Sequence, residues 1–238
     1  MDMDERKIRV LKAIIEHFID SADPVGSRSL LTSGEFDVSA ATIRNDMAYL
    51  ESIGLIEQPH TSAGRVPTKK GFRMFVDELM DEIPDQAMEK QLAVQDFNTI
   101  QGTEIDARIR QAVSLMSNIS TCIAFATLPW MSEAYYLGLT HVLRKKEFQD
   151  SVKASTIVEV LEDKDRFIEL LLHLNIDRSI RAYIGEENAL PGIGSCSMLV
   201  TLYEIGSYRG AIGILGPTRM RYAYNMKLLE KFRDNIES

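Results

Sequence analysis

Residues 41 to 48 combine small side chains with one amide and one guanidinium group. Asn and Arg side chains form bidentate hydrogen bonds with adenine and guanine edges in a DNA major groove. A solvated helix face usually carries Glu and Lys pairs instead, and small residues let the backbone approach another surface closely. We therefore predict that this stretch reads base pairs through Ala41, Thr42, Arg44, Asn45 and Ala48.

A helix that begins after Ser39 is predicted to carry these residues. Ser is a favoured N-cap residue, and Ile43, Met47 and Leu50 recur at the spacing of one helix face. With about 100° of rotation per residue, the three apolar residues form an inward stripe, and the candidate base-reading residues lie on the other side. The pattern indicates a recognition helix.

The segment after this helix predicts a cationic β-hairpin. Residues 55–58 are a short strand candidate, residues 60–65 a loop, and residues 66–68 a return strand. Between Gln58 and Val76 all charged residues are cations, which suits contact with DNA phosphates. A helix followed by such a hairpin is typical of a winged helix-turn-helix. The residues predicted to contact the DNA backbone are Ser27, Arg28, Ser39, His60, Thr61, Ser62, Arg65, Lys69 and Lys70.

Two interpretations remain open for the short helix predicted at residues 25–31. Gly26, Ser27 and Arg28 lie near its start, where backbone N–H groups, a hydroxyl and a cation could hold a phosphate. Alternatively, Ser27 only caps the helix and Arg28 pairs with an acid.

The chain as a whole is acidic, which limits the kind of nucleic-acid binder it can be. It has 238 residues, a formal net charge of -8 and 45% hydrophobic residues, enough for a globular core. Residues 1–83 contain 10 Lys and Arg against 15 Asp and Glu. DNA binding that depends on a small local cluster of cations should discriminate against non-specific DNA and be sensitive to salt.

The sequence favours a cytoplasmic protein without a metal or another cofactor. The first residues, MDMDERK, are charged, unlike a signal peptide, and no apolar run approaches the roughly 20 residues that cross a bilayer. Cys122 and Cys196 are expected to be buried free thiols. The four histidines show no metal-ligand spacing, and no phosphate-cradling glycine motif occurs.

Three groups of residues suggest catalysis or ligand binding, and each has a simpler interpretation. Residues 60–62 place His beside Thr and Ser, but neighbours on a hairpin rarely reach each other in a reactive geometry. The consecutive Glu186 and Glu187 generally point apart, which favours a polar turn. Arg219 could bind an anion, although a buried ion pair is favoured. We therefore predict that the protein is not an enzyme.

The order of elements predicts an α+β protein in three parts. Residues 1–83 form the DNA-binding domain, and Pro84 marks its boundary. Residues 84–120 hold two helical stretches, which either form a connecting and dimerising arm or belong to the core of the next domain. Residues 121–238 mix strand and helix patterns around a small sheet.

Five motifs along the chain carry a resemblance to a known family. They are PVGSRSL at 24–30, SAATIRNDMAYLESIGLIEQPHTSAGRVPT at 39–68, GFRMFVDEL at 71–79, IGEEN at 184–188 and GAIGILGPTRMRY at 210–222. Together they resemble HrcA, the heat-inducible transcription repressor family of bacteria. The TIRxD helix occurs in several repressor families, whereas its combination with QPHTSAGRVPT and GPTRM is far more specific.

The resemblance implies a GAF-like sensor domain at residues 121–238 and several partners. These are double-stranded DNA with an inverted-repeat operator before chaperone operons, a second copy of the chain in a homodimer, and the GroE chaperonin, which promotes the active repressor. The signature residues of the sensor domain are Gly185, Glu186, Glu187, Gly216, Pro217 and Arg219. The alternative is a winged-helix repressor controlled by a small-molecule ligand in its C-terminal domain.

The chain departs from this family in one respect. Typical members are longer and carry an inserted dimerisation domain, whereas here CIAFATLPW at 122–130 is followed almost at once by YYLGLTHVLRKKEFQD at 135–150. The second motif resembles sequence that lies after the insertion. We expect the insertion to be missing or vestigial, so the helices between residues 86 and 118 become the candidates for dimerisation.

Overall fold

The computed structural model describes residues 3–84, 88, 92, 104–128, 133–188, 192 and 194–238. The chain divides into two compact units, Met1–Asp81 and Glu82–Ser238. We call them the N-terminal unit and the C-terminal unit. Each has its own buried apolar core, represented by Leu11 and Ile43 in the first and by Phe125 and Phe232 in the second.

The N-terminal unit consists of four helices and one β-hairpin. Its elements are α1 Glu5–Ser21, α2 Ser27–Thr32, α3 Ala40–Ser52, β1 Ile56–Glu57, β2 Val66–Pro67 and α4 Lys69–Met74, followed by a π-helical turn at Phe75–Leu79. The two strands pair antiparallel, with Ile56 opposite Pro67. A hairpin directly after the third helix is the wing that the sequence predicts.

Side-chain caps define where the main helices of this unit begin. The carboxylate of Asp4 accepts a hydrogen bond from the Lys7 N–H at 3.0 Å, and the hydroxyl of Ser39 accepts one from the Thr42 N–H at 3.1 Å. Each cap satisfies an N–H group that has no partner within its helix. The predicted N-cap at Ser39 is confirmed.

The C-terminal unit combines helices with one sheet. Its elements are α5 Ile105–Ser120, β3 Ile123–Thr127, β4 Ala134–Leu137, α6 Leu139–Leu143, α7 Ser151–Glu162, α8 Lys164–His173, β5 Arg181–Ile184, β6 Cys196–Ile205, β7 Tyr208–Pro217 and α9 Tyr222–Glu237. Short 3-10 turns occur at Lys146–Phe148 and Gly185–Asn188.

The sheet is antiparallel throughout, with the strand order β4-β3-β7-β6-β5. Alternate residues on one face, including Phe125 of β3 and Val200 of β6, pack in a cluster with α6, α7 and α8. Because successive strand residues point to opposite faces, the intervening residues face the other way. Helices α5 and α9 pack against β3 and β6, so the sheet lies between two helical layers.

Helix α5 belongs to the core of the C-terminal unit. It packs against β3 and α9, and its residues Ile109 and Met116 are fully buried. Arg108 donates hydrogen bonds to the carbonyls of Asn235 and Ile236 at the end of α9, at 3.2 and 2.9 Å. For residues 105–120 the structure therefore favours the core helix among the two interpretations. Residues 85–87, 89–91 and 93–103 of the predicted connector lie outside the described residues.

The predicted fold class, an N-terminal winged helix-turn-helix followed by an α+β domain, is confirmed. The strands expected near residues 123, 135, 181, 197 and 210 are all present. Cys122 and Cys196 are buried free thiols, as predicted. Among the residues that the structure describes, no helix has the length and apolar content needed to cross a membrane.

Candidate nucleic-acid interface

One face of α3 is open to solvent. Its exposed residues are Ala41, Arg44, Asn45, Ala48 and Ser52. The amide of Asn45 forms no hydrogen bond with any residue that the structure describes, and Arg44 Nε donates to the Ala40 carbonyl at 3.2 Å. The opposite face is packed, since Ile43 and Leu50 are 0% exposed and Met47 is 5% exposed. The apolar stripe predicted from helical spacing is confirmed, and the predicted base-reading face lies outward.

Ser39 and Thr42 lie at the start of α3 and are engaged in its cap. Besides the N–H contact, their hydroxyl oxygens are 3.0 Å apart, within hydrogen-bond distance. Ser39 is exposed, whereas Thr42 is half-buried. Any DNA contact by these two residues would therefore come from the first turn of the helix.

Both carboxylates of α3 are held by arginines from neighbouring elements. Asp46 is 3% exposed and accepts hydrogen bonds from Arg6 of α1, with Nε to Oδ2 at 2.7 Å and Nη2 to Oδ1 at 3.1 Å. This hydrogen bonding raises the pKa of the Arg6 guanidinium above its usual value. Glu51 Oε2 accepts from Arg65, with Nε at 3.0 Å and Nη2 at 2.9 Å. Neither acid of α3 is left unpaired beside its exposed face.

The site residues predicted from sequence do not include Asp46 or Arg6. The sequence did contain a signal that Asp46 is buried, because Asp46 lies three residues after Ile43 and four before Leu50, on the apolar stripe. A carboxylate that is buried at such a position needs a partner. The partner itself, 40 residues away in the chain, could not be read from spacing.

The tip of the wing is a loop shaped by hydrogen bonds to main-chain carbonyls. Gln58 Nε2 donates to the carbonyls of Thr61 and Ala63, at 3.2 and 3.0 Å. The Ala63 N–H donates to the His60 carbonyl at 2.9 Å. His60, Thr61 and Ser62 are exposed at this tip. The loop therefore presents an imidazole and two hydroxyl groups on an organised backbone.

The base of the wing is anchored to the segment before α2. Arg65 and Val25 exchange two main-chain hydrogen bonds of 2.8 and 2.9 Å. A Cβ at Gly64 would lie 2.5 Å from the Val25 carbonyl carbon and oxygen, so this approach requires glycine. Lys70 Nζ donates to the Ile53 carbonyl at 2.8 Å, where α3 ends. The side chains of Arg65 and Lys70, predicted to contact phosphates, thus both have partners inside the N-terminal unit.

The remaining cations among the predicted backbone contacts are Arg28 and Lys69, and both are exposed. Arg28 lies in α2 and forms no ion pair with any residue that the structure describes. Ser27 is half-buried and is the first residue of α2, whereas Gly26 occupies the N-cap position without a side-chain hydrogen bond. The capping interpretation of Ser27 therefore does not hold, because the helix begins at Ser27 rather than after it.

The first group of signature residues in the C-terminal unit forms a turn. Gly185 has a positive φ of 61° and starts the 3-10 turn after β5. Glu187 Oε2 accepts a hydrogen bond from the Ile184 N–H at 2.9 Å. Glu186 lies against Gly194, where an added Cβ would be 2.6 Å from Oε1. The two carboxylates serve different contacts, as expected for a polar turn.

The second group lies at the end of β7. Pro217 is opposite Cys196 in the sheet, and Gly216 lets the chain pass close to the Cys122 sulfur, which an added Cβ would approach to 2.7 Å. Arg219 forms an ion pair, with Nη2 3.2 Å from Oε2 of Glu147. The pair is half-buried rather than buried, and Glu147 lies in the 3-10 turn at Lys146–Phe148 rather than in the last helix. Within the described ranges, no cluster of His, Cys, Asp and Glu has the makings of a metal site.

The fold and this surface define the class of protein. A hairpin after the third helix, beside an exposed helix face, is the winged helix-turn-helix of transcription regulators, and residues 32–68 match the family model described as DeoR-like helix-turn-helix domain. Residues 90–226 match the model described as HrcA protein C terminal domain. That match covers more than half of the chain, and the chain belongs to the HrcA family.

Curated relatives support this assignment. The heat-inducible transcription repressor HrcA of Ruminiclostridium cellulolyticum is 28% identical over 340 aligned positions, which cover 99% of this chain and 97% of the relative. The HrcA of Mycobacterium leprae is 46% identical over 129 residues, 54% of this chain and 37% of that protein. Since these relatives are repressors, family membership makes the chain a transcription regulator rather than an enzyme.

The alignment also bears on the insertion. It extends over 340 positions, whereas the chain has 238 residues, so a long stretch of the Ruminiclostridium relative has no counterpart here. This agrees with a short family member that lacks an inserted segment.

A crystal structure of a hypothetical protein has the same fold, with a TM-score of 0.80 and 18% identity over 99% of this chain and 96% of that one.

Proposed function

We propose that this chain represses heat-shock operons by inserting α3 into the DNA major groove and resting the wing on the adjacent backbone. The observation that carries the proposal is the exposed face of α3. It presents Asn45 and Arg44 among small residues, and both acids of the same helix are paired elsewhere. A polyanion would meet side chains suited to base edges and no free carboxylate.

The contacts with the DNA backbone are assigned to residues around this face. Arg28 and Lys69 supply exposed cations, and the wing tip supplies the side chains of residues 60–62. Such contacts orient a protein on the duplex without reading its sequence. Because the side chains of Arg65 and Lys70 have partners inside the N-terminal unit, we expect fewer phosphate contacts than the number of cations suggests. The dependence of affinity on salt should therefore be weaker than the sequence alone predicts.

A homodimer on an inverted repeat follows from the size of the reading surface. One recognition helix reads only a few base pairs, and two copies related by a twofold axis double the site. By family membership, we assign the operator to the region before chaperone operons. Dimerisation without the inserted domain would use the C-terminal unit, which includes residues 86–118, the candidates named from the sequence.

Selection from a random duplex library tests the DNA part of this proposal. The purified chain should enrich inverted repeats whose half-sites lie about one helical turn, or a multiple of it, apart. Anisotropy titrations should then show much weaker binding when one half-site is scrambled. Enrichment of no sequence, or of a single half-site bound equally well alone, would contradict the proposal.

We also propose that the GroE chaperonin promotes the DNA-competent state, as the family implies. The physical basis would be a marginally stable C-terminal unit whose folded population sets operator occupancy. On warming, added chaperonin with ATP should raise the fraction of the chain that binds the selected operator. Bovine serum albumin at the same mass concentration is the control, and an unchanged fraction with chaperonin would refute this link.

A further inference from the structure

We propose that Asp46 and Glu51, the two acids of α3, are positioning residues for DNA binding, although they carry the same charge as DNA. They act through Arg6 and Arg65, which hold α3 from α1 and from the wing. This inference rests on the proposed function, and it reassigns Arg65 from a phosphate contact to a contact within the protein.

The first hold comes from the start of α1. Arg6 binds Asp46 through two hydrogen bonds, and Asp46 directly follows Asn45, which faces outward. The next residue, Lys7, places Nζ 5.1 Å from the centroid of the Tyr49 ring. Residues three apart lie on one side of a helix, so α1 contacts the same side of α3 at positions 46 and 49. These contacts oppose rotation of α3 about its own axis.

The second hold comes from the wing. The main chain of Arg65 is fixed by its paired hydrogen bonds with Val25, and its guanidinium reaches Glu51 in the last turn of α3. The side chains of Arg65 and Glu51 are only 21% and 34% exposed. The Arg65 side chain is therefore fixed at its backbone and at its guanidinium, so it sets the distance between the wing and α3. Glu51 also neutralises the charge of this guanidinium.

Simple electrostatics and positioning predict opposite signs for the loss of these acids. Removing a negative charge near a polyanion strengthens binding if the acid has no other role. If the acid holds α3 in place, its removal weakens binding, because the exposed residues of α3 no longer contact the bases in the required geometry. The direction of the change therefore separates the two possibilities.

Glu51→Gln is the main test, because Glu51 is partly exposed and the variant keeps the shape of the side chain. We expect its affinity for the selected operator to fall about three- to tenfold, the scale of the net contribution of one ordinary hydrogen bond. Glu57→Gln in β1 is the matched control, since Glu57 is exposed and forms no ion pair with any described residue. The control should bind equally or more tightly. Equal or tighter binding by Glu51→Gln would overturn the inference.

Arg65→Gln completes a double-mutant cycle. If Arg65 acts through Glu51, the double variant binds no more weakly than either single variant. The slope of log affinity against log salt should then match that of the unchanged chain. A slope shallower by about one in Arg65→Gln, with additive losses, would instead show a direct phosphate contact and refute the reassignment.

Asp46→Asn extends the test to the buried pair, with thermal unfolding as a check on the fold. A folded variant should lose operator affinity more than affinity for unrelated DNA. If it does not fold, the Glu51 cycle decides the inference by itself. Failure of the unchanged chain to bind any duplex would reject the proposed function and this inference together, whereas normal binding with an unaffected Glu51→Gln would reject only the inference.

Discussion

The hydroxyl of Tyr203 donates a hydrogen bond of 2.6 Å to the main-chain carbonyl of Thr127, and so links β6 to β3 across β7. The Tyr203 ring is fully buried, and it fits because Gly210 lies opposite it, where a Cβ would be 2.6 Å from the ring. Thr127 Oγ1 also accepts from the Ala211 N–H at 2.9 Å. These hydrogen bonds thus link the three central strands of the sheet at one end, inside an apolar core.

Removal of this hydroxyl should destabilise the C-terminal unit. Tyr203→Phe leaves the Thr127 carbonyl without that donor, and we expect the free energy of unfolding to fall by about 1–3 kcal/mol. Urea denaturation measures the change. Tyr183→Phe is the control, since the Tyr183 hydroxyl forms no hydrogen bond with any described residue. Equal stability of the two variants would show that the contact contributes nothing measurable.

Stability should also fall at alkaline pH because two thiols are buried. Burial raises the pKa of Cys122 from 9.0 to about 11 and that of Cys196 from 9.0 to about 12. The unfolded chain therefore releases these protons first, so the stabilisation is complete below pH 9.0 and is lost as pH rises through the folded pKa values. Urea midpoints between pH 7 and 11 should show this decline. Replacing both cysteines with alanine should make it less steep, and the remaining decline comes from buried tyrosines such as Tyr203, whose pKa burial also raises.

The wing should not tolerate a side chain at position 64. In Gly64→Ala the new methyl group would collide with the Val25 carbonyl, and we expect about 1–3 kcal/mol of destabilisation together with weaker DNA binding. Gly26→Ser is a suitable control, because a Cβ at residue 26 meets no atom within 4 Å, its φ is -92°, and Ser is favoured at the N-cap position that residue 26 occupies. Thermal unfolding and operator titration of both variants provide the measurement.

Asn45 should contribute to sequence discrimination. Asn45→Ala removes an amide from the exposed face of α3 without disturbing its packed side, and we expect a loss of about 1–3 kcal/mol on the selected operator. The preference at one base pair should relax, as seen in competition with substituted duplexes. Asn175→Ala, at an exposed position after α8, should leave both the affinity and the base preference unchanged.

Arg28 should contribute equally to the binding affinity for every DNA sequence. Arg28→Ala removes an exposed cation, so binding to operator and unrelated duplexes should weaken by the same factor, and the salt slope should become shallower by about one. Lys153→Ala, on the exposed side of α7, controls for the change in net charge. If Asn45→Ala and Arg28→Ala behaved alike on all duplexes, the division between reading and positioning contacts would be wrong.

The sequence by itself determined the local elements and the family of this protein. Helix α3, its N-cap at Ser39, its inward stripe and the wing all follow from spacing and residue type, because these patterns act between near neighbours in the chain. The strands of the C-terminal unit were predictable for the same reason. The short distance between the motifs at 122–130 and 135–150 also predicted a missing insertion, and the alignment agrees that a long stretch of the relative has no counterpart here.

The tertiary structure alone decided which charges are available. The predicted cationic hairpin uses Arg65 to bind Glu51, 14 residues away, and Asp46 is neutralised by Arg6, 40 residues away. Ion pairs between distant positions depend on how helices and strands pack, and no local pattern encodes them. The number of cations in the wing therefore overstates the positive charge that the wing can present to DNA. The two acids of α3, which were not singled out from the sequence, bind the arginines that contact this helix.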